Sequence, residues 1–355
     1  MTKYLAFAFL AGASFGQDLT PQQLKAACES APANTITINV PVKISGFSSR
    51  VNVNSGCRVL FGVNGFLEAD SVNMGFAGPL VLQGGLKSGF KMANSLLEAP
   101  SATLDLAGGE NIVDLSVSTL RATAGSILIN TGAASQLVIS SRFSTRAHAL
   151  MATGAVQVNG AAKLDASLSS TSVSGTAGIS IAASGNEMTF NVANSNLIAP
   201  GGPISIVSPG VQASFNYAQG RMQAGSGISV SFSGNEGQIS LQQVVASAGT
   251  GSASFVTALG GARPAKSIVL ESTITAGGSV NVHASLTGQS GEAALESSRV
   301  TATGEIAVRS GPLGTTNVKI NRLQSSSLAA ASTGPSGSCT AEGNTVIAPA
   351  RALCI

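Results

Sequence analysis

The chain has 355 residues, of which 44% are apolar, 10% charged and 4% aromatic, with 42 glycines and no tryptophan. Charged residues usually make up about 25% of a globular domain, so this surface must be built mainly from Ser, Thr, Asn and Gly. A formal charge of +3 is too weak a balance to point to nucleic acid or an anionic membrane, and the regular apolar content excludes a disordered chain.

The chain opens with "MTKYLAFAFLAGASFGQD". A lysine, a short apolar run and a small-residue stretch make residues 1–16 a secretory signal peptide, too short for a membrane span. No later stretch is apolar over the roughly 18 residues that a transmembrane helix needs. The expected location is secreted, extracellular or at the cell surface. Next comes "TPQQLKAACESA" (20–31). Thr20 reads as an N-cap, Pro21 as the first helical residue and Gln23 as the partner of the cap. Leu24, Ala27 and Cys28 share one face. Residues 17–34 are therefore predicted to form an N-terminal capping helix.

Residues 35–328 repeat one phrase. Apolar-x-apolar pairs such as Ile36/Ile38, Val59/Phe61, Leu80/Leu82, Leu104/Leu106, Ile127/Ile129, Val156/Val158 and Ile306/Val308 recur 21 to 29 residues apart. That period marks stacked supersecondary units. Each unit carries two further apolar tracks, one before the pair (Leu97, Leu120, Val173, Ile274, Val300) and one after it (Val113/Leu115, Phe190/Val192, Ile239/Leu241). Three short segments of period two, separated by Gly, Asn and Ser, predict three strands joined by tight turns. The fold class is thus all-β, a parallel β-helix (β-solenoid) of about 12 rungs. Gly125, Gly154, Gly202, Gly278 and Gly304 mark either a left-handed corner or a close chain approach. Asn or Ser recurs at another corner (94–95, 118, 194–196, 272, 297–298), read equally well as an axial hydrogen-bond ladder or as plain turn preference.

Four cysteines in an oxidising compartment predict two disulfides. Three pairings are possible, and the positions favour Cys28–Cys57 and Cys339–Cys354. Zinc is the poorer reading, because neither pair has zinc spacing and both histidines are distant. Residues 329–355 are expected to be a linker, "SLAAASTGPSGS" from 327, followed by a disulfide-closed C-terminal cap.

The stretch "QQLKAACESAPANTITINVPVKISG" (22–46) resembles the opening of pectin-lyase-like right-handed parallel β-helix proteins. The phrases "TATAGSILINTG" (121–132) and "TITAGGSVNVHAS" (273–285) resemble the repeats of filamentous-haemagglutinin-type and autotransporter-passenger adhesins. The resemblance implies the right-handed β-helix, a fold that hosts lyases, hydrolases, adhesins and tailspikes, so it does not by itself choose a function.

Chemistry in such a fold needs carboxylates or bases brought together from adjacent rungs. The acidic residues here are scattered, and the polygalacturonase-type set of motifs is missing, so no catalytic residue is assigned. The recurrent "GNE" at 185–187 and 234–236 is read as a polar turn. Arg142, Arg146 and His148 form a small basic group where the repeat is stretched, a candidate for binding an anion on an inserted loop. His283 is placed on the outer surface. The expectation is a secreted non-enzymatic β-solenoid without cofactor or metal, adhesin-like or a surface or matrix component. Its partners would be surface glycans or other extracellular proteins. The alternative is a polysaccharide lyase or glycoside hydrolase with an atypical site.

Overall fold

The computed structural model describes residues 17–46, 49–106, 110–132, 134–140, 147–257, 265–284, 290–333 and 336–354. The expected signal peptide lies outside the described residues. The strand Gln17–Leu19 pairs with Pro41–Ser45 and leads into helix α1, Pro21–Ser30. The start of α1 is fixed by a reciprocal cap. The Gln23 N–H donates to Thr20 Oγ1 at 3.2 Å, and the Thr20 N–H donates to Gln23 Oε1 at 2.8 Å. Two helix-end donors are thereby satisfied, and Pro21 sits where no donor is required. Leu24, Ala27 and Cys28 are buried. On the other side, Glu29 accepts the Asn54 N–H at 2.7 Å and Lys25 donates to the Asn52 carbonyl. The helix thus occupies the edge of Val51–Val53, a strand end otherwise open to pairing. The Asn54 N–H, then Lys25, hold the Glu29 carboxyl below its usual range.

From Thr35 the chain winds as a parallel β-solenoid of about 12 turns. Each coil contributes one strand to a 14-stranded sheet, here called face I, and then strands to a 24-stranded sheet with two flanks, faces II and III. One coil reads Val280–Ala284, Gly291–Glu296, Arg299–Ala302, and the next Ile306–Ser310, Thr315–Lys319, Arg322–Ser325. They pair in parallel without offset: Val280 on Ile306, Leu295 on Val318, Val300 on Leu323. Period two sends Val, Ile, Leu, Phe and Ala inward, where each is covered by its counterpart about 4.8 Å along the axis. The interior is one continuous core, including Phe190 and Phe215 with ring centroids 5.3 Å apart.

The expected alignment holds from Ile127 to Ile306, but three steps near the start differ. Val59 stacks on Leu82 rather than Leu80, Leu80 on Ala102 rather than Leu104, and Leu104 on Ile129 rather than Ile127. A slip of two residues leaves every side chain on the same face, so apolar alternation alone cannot detect it.

Faces II and III share a sheet because one residue per coil bends the strand between them. Ser71, Asn94, Val117, Ser170, Asn194, Gln219, Gln243, Glu271, Ser297 and Ile320 all have φ between 48° and 58°. A left-handed conformation costs roughly 1–2 kcal/mol per L-residue, most for β-branched Val117 and Ile320. Where Ser or Asn follows, its side chain offsets that cost. Ser272 Oγ donates to Leu270 O at 2.6 Å and accepts the Val244 N–H at 3.1 Å, while the Ser272 N–H donates to Ser298 Oγ at 3.1 Å. Ser95 and Ser298 repeat this pattern, and the series runs through Asn321 to Asn344. The recurring Ser/Asn corner is therefore a hydrogen-bond ladder along the axis. Coil 212–224 has Gly220 at this place and no hydroxyl. There the Tyr217 hydroxyl, buried and with its pKa pushed up by that burial, lies 2.6 Å from Ser195 O and 2.9 Å from Arg221 O. It fills the missing rung.

The glycines before the apolar pairs take the other role expected of them, close approach, since none of Gly125, Gly154, Gly202, Gly278 and Gly304 has positive φ. A Cβ on Gly304 would stand 2.5 Å from Ser279 Oγ, the atom that accepts the Glu305 N–H at 3.1 Å.

The C-terminal region differs from the expected linker and cap. Leu328–Ser332 is a strand of face I beneath Ile306–Ser310. Ser338–Glu342, Thr345–Ile347 and Ala350–Leu353 then complete one more coil. The stretch "LAAAS" hides its alternation because Ala serves both inside and out. The polar interior residue Thr316 is satisfied locally, donating to Ser332 O at 2.8 Å. Cys28–Cys57 ties α1 to the second coil, and Cys339–Cys354 ties face II to face I within the last.

Ser272→Ala is expected to lower stability by about 1–3 kcal/mol, because it strands a buried donor. Ser231→Ala, outward on face I, should change it by about 0.5 kcal/mol or less. Urea midpoints of the two variants check this. Replacing Cys339 and Cys354 by Ser should remove roughly 3 kcal/mol from the last coil, read as faster proteolysis at the C-terminus with the N-terminal coils intact.

Candidate functional site

Stacking dictates where charge can stand on the rod. Residues in register are neighbours, and like charges directly opposite destabilise a sheet. Signs accordingly alternate along the axis. Lys43 lies 3.5 Å from Glu68 and 3.0 Å from Asp70, Glu68 is in register with Lys91, and Lys91 with Asp114. Glu98 receives Arg50 at 2.6 Å and Arg121 at 3.4 Å. Near the other end Glu296, Lys319 and Glu342 form one column. The Lys43 pKa is raised, chiefly by its hydrogen bond to Asp70, and that bond lowers the Asp70 pKa in turn.

Between these charged ends, face II carries amides and hydroxyls and is indented by a groove of about 450 Å³. One column of its lining is Glu187, Gln212 and Glu236; the next is Thr189, Ser214 and Gln238; Lys266 stands at one end. The two glutamates open the strands Glu187–Ala199 and Glu236–Ala248, just after the bends at 185–186 and 234–235. The second bend requires glycine, because a Cβ on Gly234 would stand 1.4 Å from Gly210 O. The tight corner delivers each glutamate to the first outward position of its strand. "GNE" is thus a turn in its first two residues and a groove residue in its third.

Lys163 Nζ sits 2.9 Å from Glu187 Oε2, a contact that raises the Lys163 pKa. Gln212 Nε2 donates to Glu236 Oε2 at 3.2 Å. Two columns over, Asn216 Nδ2 donates to Asn191 Oδ1 and to Ser214 Oγ, each at 3.0 Å. Two coils separate the glutamate backbones, roughly 9.5 Å by strand spacing. The groove therefore offers directional donors and acceptors at a fixed axial repeat, suited to a hydroxyl-rich ligand lying along the rod. Among the described residues no three His, Cys, Asp or Glu side chains converge to hold a metal ion.

The residues singled out from sequence fall elsewhere. Arg142 and Arg146 lie outside the described residues. His148 belongs by its backbone to the strand Ala147–Ala152, so the expected inserted loop stops short of it. The pairing of that strand with Thr171–Gly175 is irregular between His148 and Leu150. Buried Leu150 and Ala152 explain the strand, since their alternation fits the core. His283 points outward as expected but is half-buried, and its Nε2 has no hydrogen-bond partner. It stacks between Val256 and Arg309, and Arg309 is held by Glu305. Burial first, then the Arg309 charge, pushes the His283 pKa down to about 4. Sequence reasoning missed Gln212, which joins the two glutamates into one column. The signal was the equal place of both "GNE" motifs, which sets the glutamates two coils apart in one register.

No protein-family model, no curated protein and no solved structure matches the chain.

His283 makes stability depend on pH with a definite sign. The folded chain keeps it neutral down to about pH 4, whereas the unfolded chain binds a proton near pH 6.5. Between those values the unfolded state holds more protons, so the contribution is complete above about pH 6.5 and is lost as pH falls through the window. Acidification from about pH 7 to about pH 4.5 should lower the urea midpoint more in the wild type than in His283→Gln, a comparison that cancels the carboxylates common to both.

Proposed function

We propose that the protein is a secreted, non-enzymatic β-solenoid that acts at a cell surface or in extracellular matrix, holding glycans or other extracellular proteins along face II. The observation that carries this reading is the groove over Glu187, Gln212 and Glu236, set in a face of hydroxyls and amides with a fixed repeat. Two disulfides fit an oxidising compartment, and among the described residues no helix is long and apolar enough to cross a membrane. The adhesin-like phrases of the repeat support the same reading.

A second reading, a glycoside hydrolase or polysaccharide lyase with an atypical site, is favoured by one feature. The two groove carboxylates come from positions roughly 9.5 Å apart, near the upper end of the 6.5–9.5 Å found between the carboxyl groups of inverting glycosidases. Binding is preferred because both are already engaged, Glu187 by Lys163 and Glu236 by Gln212.

The test is a glycan array and a pull-down with the chain from residue 17 onward, beside lyase and hydrolase assays on polyuronides and neutral glycans. Retention without turnover, weakened about tenfold or more by Gln212→Ala, is the expected result. Turnover that is abolished by Glu187→Gln or Glu236→Gln would replace binding with catalysis.

A further inference from the structure

One place on the rod breaks the alternation of charge. On face III, Arg299 of the strand Arg299–Ala302 stacks directly on Arg322 of Arg322–Ser325. Among the described residues this is the one register pair of Arg, Lys, Asp or Glu with like signs. Both side chains are exposed, and neither has an ion-pair partner among the described residues. On the adjoining face II, Glu296 and Glu342 flank Lys319. Elsewhere a coil-to-coil charge contact is resolved by an opposite sign, as at Lys163–Glu187 and Lys266–Glu292. Here a repulsive contact is kept on an exposed surface where a single Gln would remove it.

We infer that Arg299 and Arg322 form an anion clamp for sulfate-ester groups on an extracellular polysaccharide. Two arginines whose backbones stand about 4.8 Å apart can turn their guanidinium forks to bracket one tetrahedral oxyanion, each donating two N–H groups to it. Bound anion turns their mutual repulsion into shared attraction. The surroundings select the rest of the ligand. The same column continues into Thr273 on one side and Thr345 on the other, and the neighbouring column holds Thr301 and Gln324. Hydroxyls and an amide flanking the clamp suit sugar hydroxyls on either side of the ester. The clamp deepens the glycan-binding reading above and rests on it, but it lies on face III and uses none of the groove residues.

The probe is dextran sulfate, with unmodified dextran as the neutral control, polyphosphate as the rival tetrahedral anion and inorganic sulfate as competitor. Affinities are read by calorimetry at fixed ionic strength, because bulk electrostatic attraction varies with salt. Dextran sulfate should bind, dextran should not bind through this face, and the double variant Arg299→Gln/Arg322→Gln should weaken dextran sulfate at least tenfold. Arg322→Lys keeps the charge but loses the fork, so it should retain only part of the affinity. Arg121→Gln, on the same face but paired with Glu98, removes one positive charge and should leave affinity within about twofold. An Arg121→Gln loss equal to that of the double variant would reduce the effect to net charge and overturn the clamp. Preference for polyphosphate would overturn the sulfate assignment. Loss of groove binding in Gln212→Ala with the dextran sulfate affinity intact separates the two sites; the reverse pattern in the arginine variant does the same.

Discussion

No coil of this protein has an inside of its own. A strand of four or five residues exposes as much apolar surface as it hides until the next coil covers it, so burial is purchased between neighbours along the axis rather than within a turn. Fidelity of stacking is therefore the constraint on which everything else rests. The Ser/Asn ladder at the bend between faces II and III enforces it. Each left-handed corner is unfavourable in isolation, yet a Ser or Asn after it ties its own coil to the coils on both sides, as Ser272 does through Val244 and Ser298. A coil shifted by two residues would preserve the apolar pattern but set the bend against a strand interior and break those bonds. The ladder fixes the register that hydrophobicity leaves undetermined.

The same constraint explains the composition. Any residue placed outward is repeated, in effect, at about 4.8 Å intervals. Where charge stacks on charge, Arg299 on Arg322 excepted, it stands beside its opposite, as in the column Lys43, Glu68, Lys91, Asp114. Hydroxyls and amides have no such restriction, because each can donate in one direction and accept in the other. The Asn216–Asn191 contact and the series Gln219, Gln243, Glu271 are that arrangement in practice. A surface poor in charge follows from the geometry of stacking and requires no special environment.

Most of the architecture was legible in the sequence because it is periodic. Apolar pairs in the low twenties, the Thr20–Gln23 cap and the cysteine positions led to the coils, the helix and the disulfides. What stayed hidden was what periodicity cannot encode. The two-residue slips at Leu82, Ala102 and Ile129 preserve the face, and the coil after Ala331 is built from Ala and Ser, whose alternation carries no contrast. Tyr217 has no place in the periodic pattern, because its hydroxyl stands in for the one absent at Gly220. Of the candidate site, the two glutamates were visible as repeated "GNE" motifs, but their meeting through Gln212 depends on knowing which residue of the intervening coil shares their column. Arg299 and Arg322 were not noticed, since a like-charged pair is conspicuous only once the register shows that all others alternate.

A solenoid also limits the kinds of ligand that it can hold. An enclosed pocket needs elements that converge from different directions, whereas here neighbouring strands run parallel and present their side chains in columns. A small molecule finds few such groups within reach. A polymer lying along the axis meets the same kind of donor or acceptor at every coil, and modest contacts accumulate without a deep cavity. The open groove on face II and the paired arginines on face III differ in chemistry but agree in this respect: each is a column of side chains in register along the axis, and the ligand proposed for each is an extended one.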